Sequence, residues 1–263
     1  MIFELEPLIR LGAFAGVLLL MMLWEWRAPR RPQHLGRLRR WPHNLLLVVI
    51  NTLLLRWCFP LAAVGAAWLA AERGWGLFNA ITLPVWACVV LSLLILDLLI
   101  YLQHRLFHAV PWLWRLHRVH HTDLEFDVTT GLRFHPLEIL LSMVIKLAAV
   151  TLLGAPALAV LLFEVLLNAT AMFNHGNVLL SKRLDRRLRL VLVTPDMHRV
   201  HHSVIPIETD SNFGFNLPWW DRLFGTYRAQ PRAGQLGMTL GLNRFRNPAE
   251  LRLHRLLLQP FRR

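Results

Sequence analysis

Apolar runs constrain this chain more than any other feature. Residues 8–24, 44–70 and 77–102 are largely apolar, and a fourth stretch between His135 and His175 is broken only by Gly154-Ala155-Pro156. A bilayer crossing takes about 20 residues of helix. The first three runs suffice, and the two halves of the fourth are each just long enough for a hairpin. With 55% hydrophobic residues among 263 and a mean hydropathy of +0.41, the chain is expected to be all-α, an integral membrane helical bundle.

The formal charge of +13 would suit nucleic acid on arithmetic alone. The arginines, however, sit at the ends of the apolar runs. Arg27, Arg30, Arg31, Arg37, Arg39 and Arg40 crowd the first loop, where the positive-inside rule holds them in the cytoplasm, so no nucleic-acid partner is expected. Glu4 and Glu6 precede the first run and no small-residue cleavage site follows, which predicts an uncleaved helix with its N-terminus outside. Arg56 and Pro60 interrupt the second run, as a kink or as a polar contact inside the bundle. The two cysteines, Cys58 and Cys88, lie in apolar runs and read as small buried hydrophobes.

Ten of the thirteen histidines fall between residues 104 and 202. They read His104 and His108 in HRLFH, His117, His120 and His121 in HRVHH, His135 in RFHP, His175 in NHGN, then His198, His201 and His202 in a second HRVHH. On a helix, residues i, i+3 and i+4 share a face, so each box is expected to aim its imidazoles at one point. Pro111 precedes the second box, and Thr194-Pro195-Asp196 gives the third an N-cap followed by proline. Protonated, so many histidines would repel; neutral, each would need a partner. Metal ions satisfy them together. Ten imidazoles oversupply two zincs, whereas about five per metal suit two octahedral irons with one position open on each. HExxH is absent, which argues against a membrane metalloprotease.

Both ends of the predicted hairpin carry histidines, so the boxes are expected in a helical cap on one face, the cytoplasmic side of a bacterial inner membrane. Asp97, Tyr101, His104 and His108 share one helix face; Glu164, Asn168 and His175 share another. A carboxylate at the bilayer centre costs about 2.5–3.5 kcal/mol on insertion scales. Hydrogen bonding to ligating histidines would compensate Asp97 and Glu164, as would a salt bridge with Arg56 or Lys146. Glu138 and Asp196 are further candidates for supporting the ligands, Glu138 equally as a helix-start residue.

Residues 181–190, SKRLDRRLRL, read as an amphipathic helix on an anionic membrane surface, or as a basic helix packed on the protein. Most of the eleven tryptophans stand near run ends, in the headgroup zone. The expected divisions are 1–76 for N-terminal transmembrane helices, 77–228 for the catalytic region and 229–263 for a basic tail.

At these residues the chain resembles the fatty acid hydroxylase superfamily, also called the sterol desaturase family, whose boxes are HxxxH, HxxHH and HxxHH. The likeness covers about residues 97–228, including RFHPLE, FNHGN, TPDMHRVHH and SNFGFNLPWWDRLFGTYR. It implies a membrane di-iron oxygenase that hydroxylates or desaturates a lipid, the eight box histidines being ligands and His135 and His175 either ligands or supports. It also implies a separate electron donor, a ferredoxin or small cytochrome with its reductase. The competing expectations are a histidine-rich metal transporter and a zinc-dependent membrane hydrolase, zinc also being a substitute for iron.

Overall fold

A computed structural model describes residues 2–262, and none of the site residues named above lies outside them. Among the described residues the chain is all helical, without strands beyond two isolated bridges, Pro29 with Val178 and Ser203 with Leu240. The principal helices are α1 (Ile2–Arg27), α2 (Trp41–Cys58), α3 (Ala62–Glu72), α4 (Val85–Ala109), α5 (Pro111–His121), α6 (Pro136–Leu153), α7 (Ala157–Asn174), α8 (Lys182–Leu188), α9 (Pro195–His201) and α10 (Leu253–Leu258).

Five segments are long and apolar enough to cross a membrane: Leu5–Arg27, Trp41–Ala80, Val85–Ala109, Pro136–Leu153 and Ala157–Asn174. Their outward faces are apolar, with Leu8 65%, Trp57 82%, Trp86 71% and Leu152 74% exposed. An apolar surface of that extent would aggregate in water and is stable against lipid. The protein is an integral membrane protein.

α7 is the central helix, packing against α1, α3 and α4, while α6 lies against α2 and α3. Small residues of α3, Ala63, Val64 and Ala67, let it approach Val150 of α6 and Val160 and Phe163 of α7 in a buried cluster. The second apolar run is broken between α2 and α3, at Pro60, which has no N–H to continue the helix. Arg56 is exposed, so that interruption is a backbone break and not a polar contact inside the bundle. The hairpin turns at Gly154, whose φ of 63° suits a left-handed C-cap. Gly76 packs on it so closely that a Cβ there would meet Gly154 N at 2.1 Å.

The basic first loop is tied into the protein by buried ion pairs. Arg40 is wholly buried, its guanidinium bridging Asp123 at 2.7 Å and Asp127 at 2.6 Å. Burial alone would raise both carboxyls, but Arg40 holds them below their ordinary range. Glu125 accepts from the backbone N–H groups of His34 and Leu35 at 2.7 and 2.9 Å. The loop is thus strapped onto residues 122–133, directly beside the second box.

Candidate metal centre

Three helices and one helix end deliver the imidazoles. His104 and His108 project from the last turns of α4, His117, His120 and His121 from α5, and His198 and His201 from α9, with His202 at its C-cap. His175 caps the end of α7. Prolines at the first positions of α5 and α9 set these short helices going without losing a hydrogen bond. Thr194 stands at the N-cap of α9, but its hydroxyl donates to Asp185 Oδ1 at 2.6 Å and leaves the backbone uncapped.

Nine histidines form two adjoining groups, His104, His108, His117, His121 and His201 in one, and His120, His175, His198 and His202 in the other. The boxes do not each aim at one point. In the second box the i and i+4 residues, His117 and His121, join the five-membered group and the i+3 residue, His120, joins the four-membered one. In the third box the assignment is reversed, His198 and His202 going to the smaller group and His201 to the larger. Three and four residues advance a helix by slightly less and slightly more than a turn, so one HxxHH turn straddles both groups.

Hydrogen bonds at Nδ1 set the tautomers. His104 donates to Phe213 O at 2.8 Å, His175 to Ala171 O at 2.8 Å and His201 to Ser211 O at 2.8 Å. His117 donates to Glu138 at 2.6 Å and His108 to Asp210 at 3.0 Å. Each of these rings therefore presents a bare Nε2 lone pair inward. Yet the Nε2 atoms of His104 and His117 lie 3.1 Å apart, with both ring protons committed to Phe213 and Glu138.

Two lone pairs at that distance have no proton to share and need a cation. Metal–imidazole bonds of about 2.1 Å at right angles would set neighbouring donors about 3.0 Å apart. His108 and His121 at 3.2 Å, and His120 and His198 each at 3.1 Å from His175, repeat that spacing. The buried Nε2 atoms of His201 and His202 have no protein partner. Burial pushes the His120, His121, His198 and His202 imidazoles well below their ordinary range, and those of His175 and His201 down to about 3. The set is convergent and fit to hold metal.

His135 is not brought into either group. Its Nδ1 caps α6 by accepting from Leu137 N at 3.2 Å, and its Nε2 donates to Leu257 O at 3.2 Å, so both nitrogens are taken. Of the six residues expected to support the ligands, Glu138 is the one that touches a histidine. Glu164 pairs with Lys146 at 2.7 Å and with Arg10, and Asn168 donates to the Glu164 carbonyl at 2.8 Å. This ion pair lies within the helices and accounts for Arg10 in the first apolar run. Asp196 pairs with Arg30 at 3.0 Å and with Arg199.

Asp97 and Tyr101 act one step away. Asp97 accepts from Leu217 N and Trp220 Nε1 at 3.2 and 2.8 Å, and the Tyr101 hydroxyl meets Thr226 Oγ1 at 2.9 Å. Both fasten the 211–226 segment whose carbonyls orient His104 and His201. Asp221 completes that fastening by accepting from Phe213 N and Gly214 N at 2.8 Å each.

The sequence did not point to Asp210. It is 60% exposed and stands 102 residues from its partner His108. A hollow of about 280 Å³ opens there, lined by Arg105, His108, Ala109, Asp210, Phe213 and Thr226.

The sequence pattern described as fatty acid hydroxylase matches residues 89–226. The chain belongs to the fatty acid hydroxylase family. All nine clustered histidines fall inside the match. Over 147 residues the chain is 36% identical to the ornithine lipid hydroxylase of Rhizobium tropici, covering 55% of this chain and 43% of that one. It is 29% identical over 161 residues to the alkylglycerol monooxygenase of Homo sapiens, covering 59% and 34%. Identity to the cholesterol 25-hydroxylase of Rattus norvegicus is 27% over 150 residues, covering 56% and 49%. The chain thus spans less than half the length of each of these relatives, and no solved structure matches it.

Proposed function

We propose that this chain is a membrane-bound di-iron oxygenase that hydroxylates a C–H bond of a lipid. The observation that carries this is the facing of bare imidazole nitrogens in two adjoining groups, a donor set for two metal ions inside a bundle that meets lipid on its outer face. All-imidazole donors, five and four in number, leave octahedral positions open for an exogenous oxidant. Iron held there would supply the oxygen-activating redox chemistry. Dioxygen, an electron pair and protons would be consumed, one oxygen entering the lipid as an alcohol and the other leaving as water.

The chain's own residues have separable tasks. Glu138 and the Phe213, Ser211 and Ala171 carbonyls fix ring tautomer and orientation. Phe134, stacked on His120 with ring centroids 4.6 Å apart, and Phe126 beside His175 at 5.4 Å keep that side of the set dry. Hydroxylation is favoured over desaturation by the relatives, which are named as hydroxylases or monooxygenases of ornithine lipid, alkylglycerol and cholesterol.

The histidine end is assigned to the cytoplasmic side because Arg27, Arg39, Lys182, Arg183, Arg186 and Arg187 are exposed there. A bacterial inner membrane is the host that the likeness to the Rhizobium tropici protein supports. Electrons come from a separate donor, a ferredoxin or small cytochrome. A transporter would spread its ligands along a crossing path, whereas these converge at one end of the bundle.

The test is growth of cells carrying the intact gene, or its His120→Ala variant, under isotopically heavy dioxygen, followed by mass spectrometry of the lipid extract. A heavy-oxygen hydroxyl on a lipid in the first culture alone supports the proposal. Identical lipids in both cultures, with the protein present and iron-loaded, would contradict it.

A further inference from the structure

α8 is held to the protein on one side, where Asp185 accepts from Thr194 and pairs with Arg189 at 2.8 Å. Its other sides face outward. Lys182, Arg183, Arg186 and Arg187 are exposed, and among the described residues none of them pairs with a carboxylate. Large apolar side chains stand among them, Leu184 45%, Leu190 62% and Val191 55% exposed.

The turn at Trp219–Leu223 extends this surface. Trp219 Nε1 donates to Leu190 O at 2.6 Å and Arg222 to Arg189 O at 3.0 Å. Leu223 is 69% and Phe224 43% exposed. One further bond fixes the depth of α8: Leu179 N donates to Ala28 O at 2.9 Å, immediately after α1 ends. α8 therefore lies where that span leaves the bilayer.

Cations without partners call for anions, and exposed leucines beside them call for an apolar phase. An acidic protein would need an apolar patch matched to these leucines, whereas an anionic leaflet supplies anions and an apolar phase together within one headgroup's depth. We propose that α8 and the turn at 219–224 form an in-plane platform that binds anionic phospholipid headgroups, with Leu190, Val191 and Leu223 entering the acyl boundary. This rests on the membrane-spanning fold and not on the chemistry of the metal centre.

The experiment uses the full-length protein in lipid nanodiscs, carrying Cys58→Ser and Leu190→Cys with a fluorophore on the new thiol. Phosphatidylglycerol or phosphatidylcholine brominated high on the acyl chain is supplied at equal mole fraction as quencher. The platform predicts quenching severalfold stronger with brominated phosphatidylglycerol, the ratio falling to about one when Lys182, Arg183, Arg186 and Arg187 are all changed to Gln. Retained metal content shows that this variant is folded. No quenching by either lipid would mean that the surface faces water or a protein and would overturn the proposal. Equal quenching in the parent protein would overturn the selectivity for anionic lipid.

Discussion

His117 and Glu138 are joined by a 2.6 Å hydrogen bond between two wholly buried side chains, one from the second histidine box and one from the first turn of α6. The bond pins the His117 proton on Nδ1 and turns Nε2 toward His104. Outer partners of this kind typically contribute a factor of about 10–100 in metal affinity. Glu138→Ala should therefore weaken retention of the metal near His117 by that order, with Glu138→Gln intermediate. Competition with a graded series of chelators measures it.

The split of the boxes between two groups makes a contrast within single helical turns. His117→Ala should deplete the five-membered group and His120→Ala the four-membered group, so each variant loses one metal preferentially. His135→Ala should keep both, because its nitrogens serve the α6 cap and the Leu257 carbonyl. Metal analysis of the three purified variants separates these outcomes. Loss of metal in His135→Ala equal to that in His120→Ala would contradict the assignment.

Acid should loosen the metal-free protein over a defined window. His175 and His201 have an ordinary pKa of 6.5 and are held down to about 3 by burial. Between those values the unfolded chain binds more protons than the folded one. The stabilising contribution is thus fully present above about pH 6.5 and is lost as pH falls through about 3. Thermal unfolding of chelator-treated protein should show a transition temperature that drops steadily across this range and is flat above it.

Arg40 carries a third kind of load. Arg40→Ala would leave Asp123 and Asp127 buried without their shared cation, which costs about 3–5 kcal/mol for a broken buried pair. Denaturant unfolding in detergent measures the loss. Arg39→Ala, at an exposed position in the same loop, should change stability by less than about 0.5 kcal/mol.

The segments long and apolar enough to cross a membrane were legible in the sequence because they depend on local hydropathy, which the runs around Leu18, Leu53 and Leu94 carry openly. The eight box histidines were legible because their spacing is helical, whereas His175 stood alone in NHGN and was open between ligand and support. What stayed hidden depends on long-range pairing. Arg40 looks in sequence like its neighbour Arg39, and its burial arises from carboxylates more than eighty residues away. Glu164 shares a helix face with His175, yet Lys146 and Arg10 on other helices claim it. Asp210 sits in no periodic segment, so nothing in its neighbourhood announces His108 as its partner. The division of each HxxHH turn between two groups follows from how α4, α5, α7 and α9 meet, which no single helix encodes.

The most direct test of the account is Mössbauer spectroscopy, with metal analysis, on protein purified from cells grown on iron-57. Two adjoining imidazole groups predict about two irons per chain whose oxidised form is a spin-coupled pair and whose reduced form reacts with oxygen. A single uncoupled iron per chain, or zinc retained in place of iron after iron-replete and zinc-poor growth, would contradict the two-iron centre.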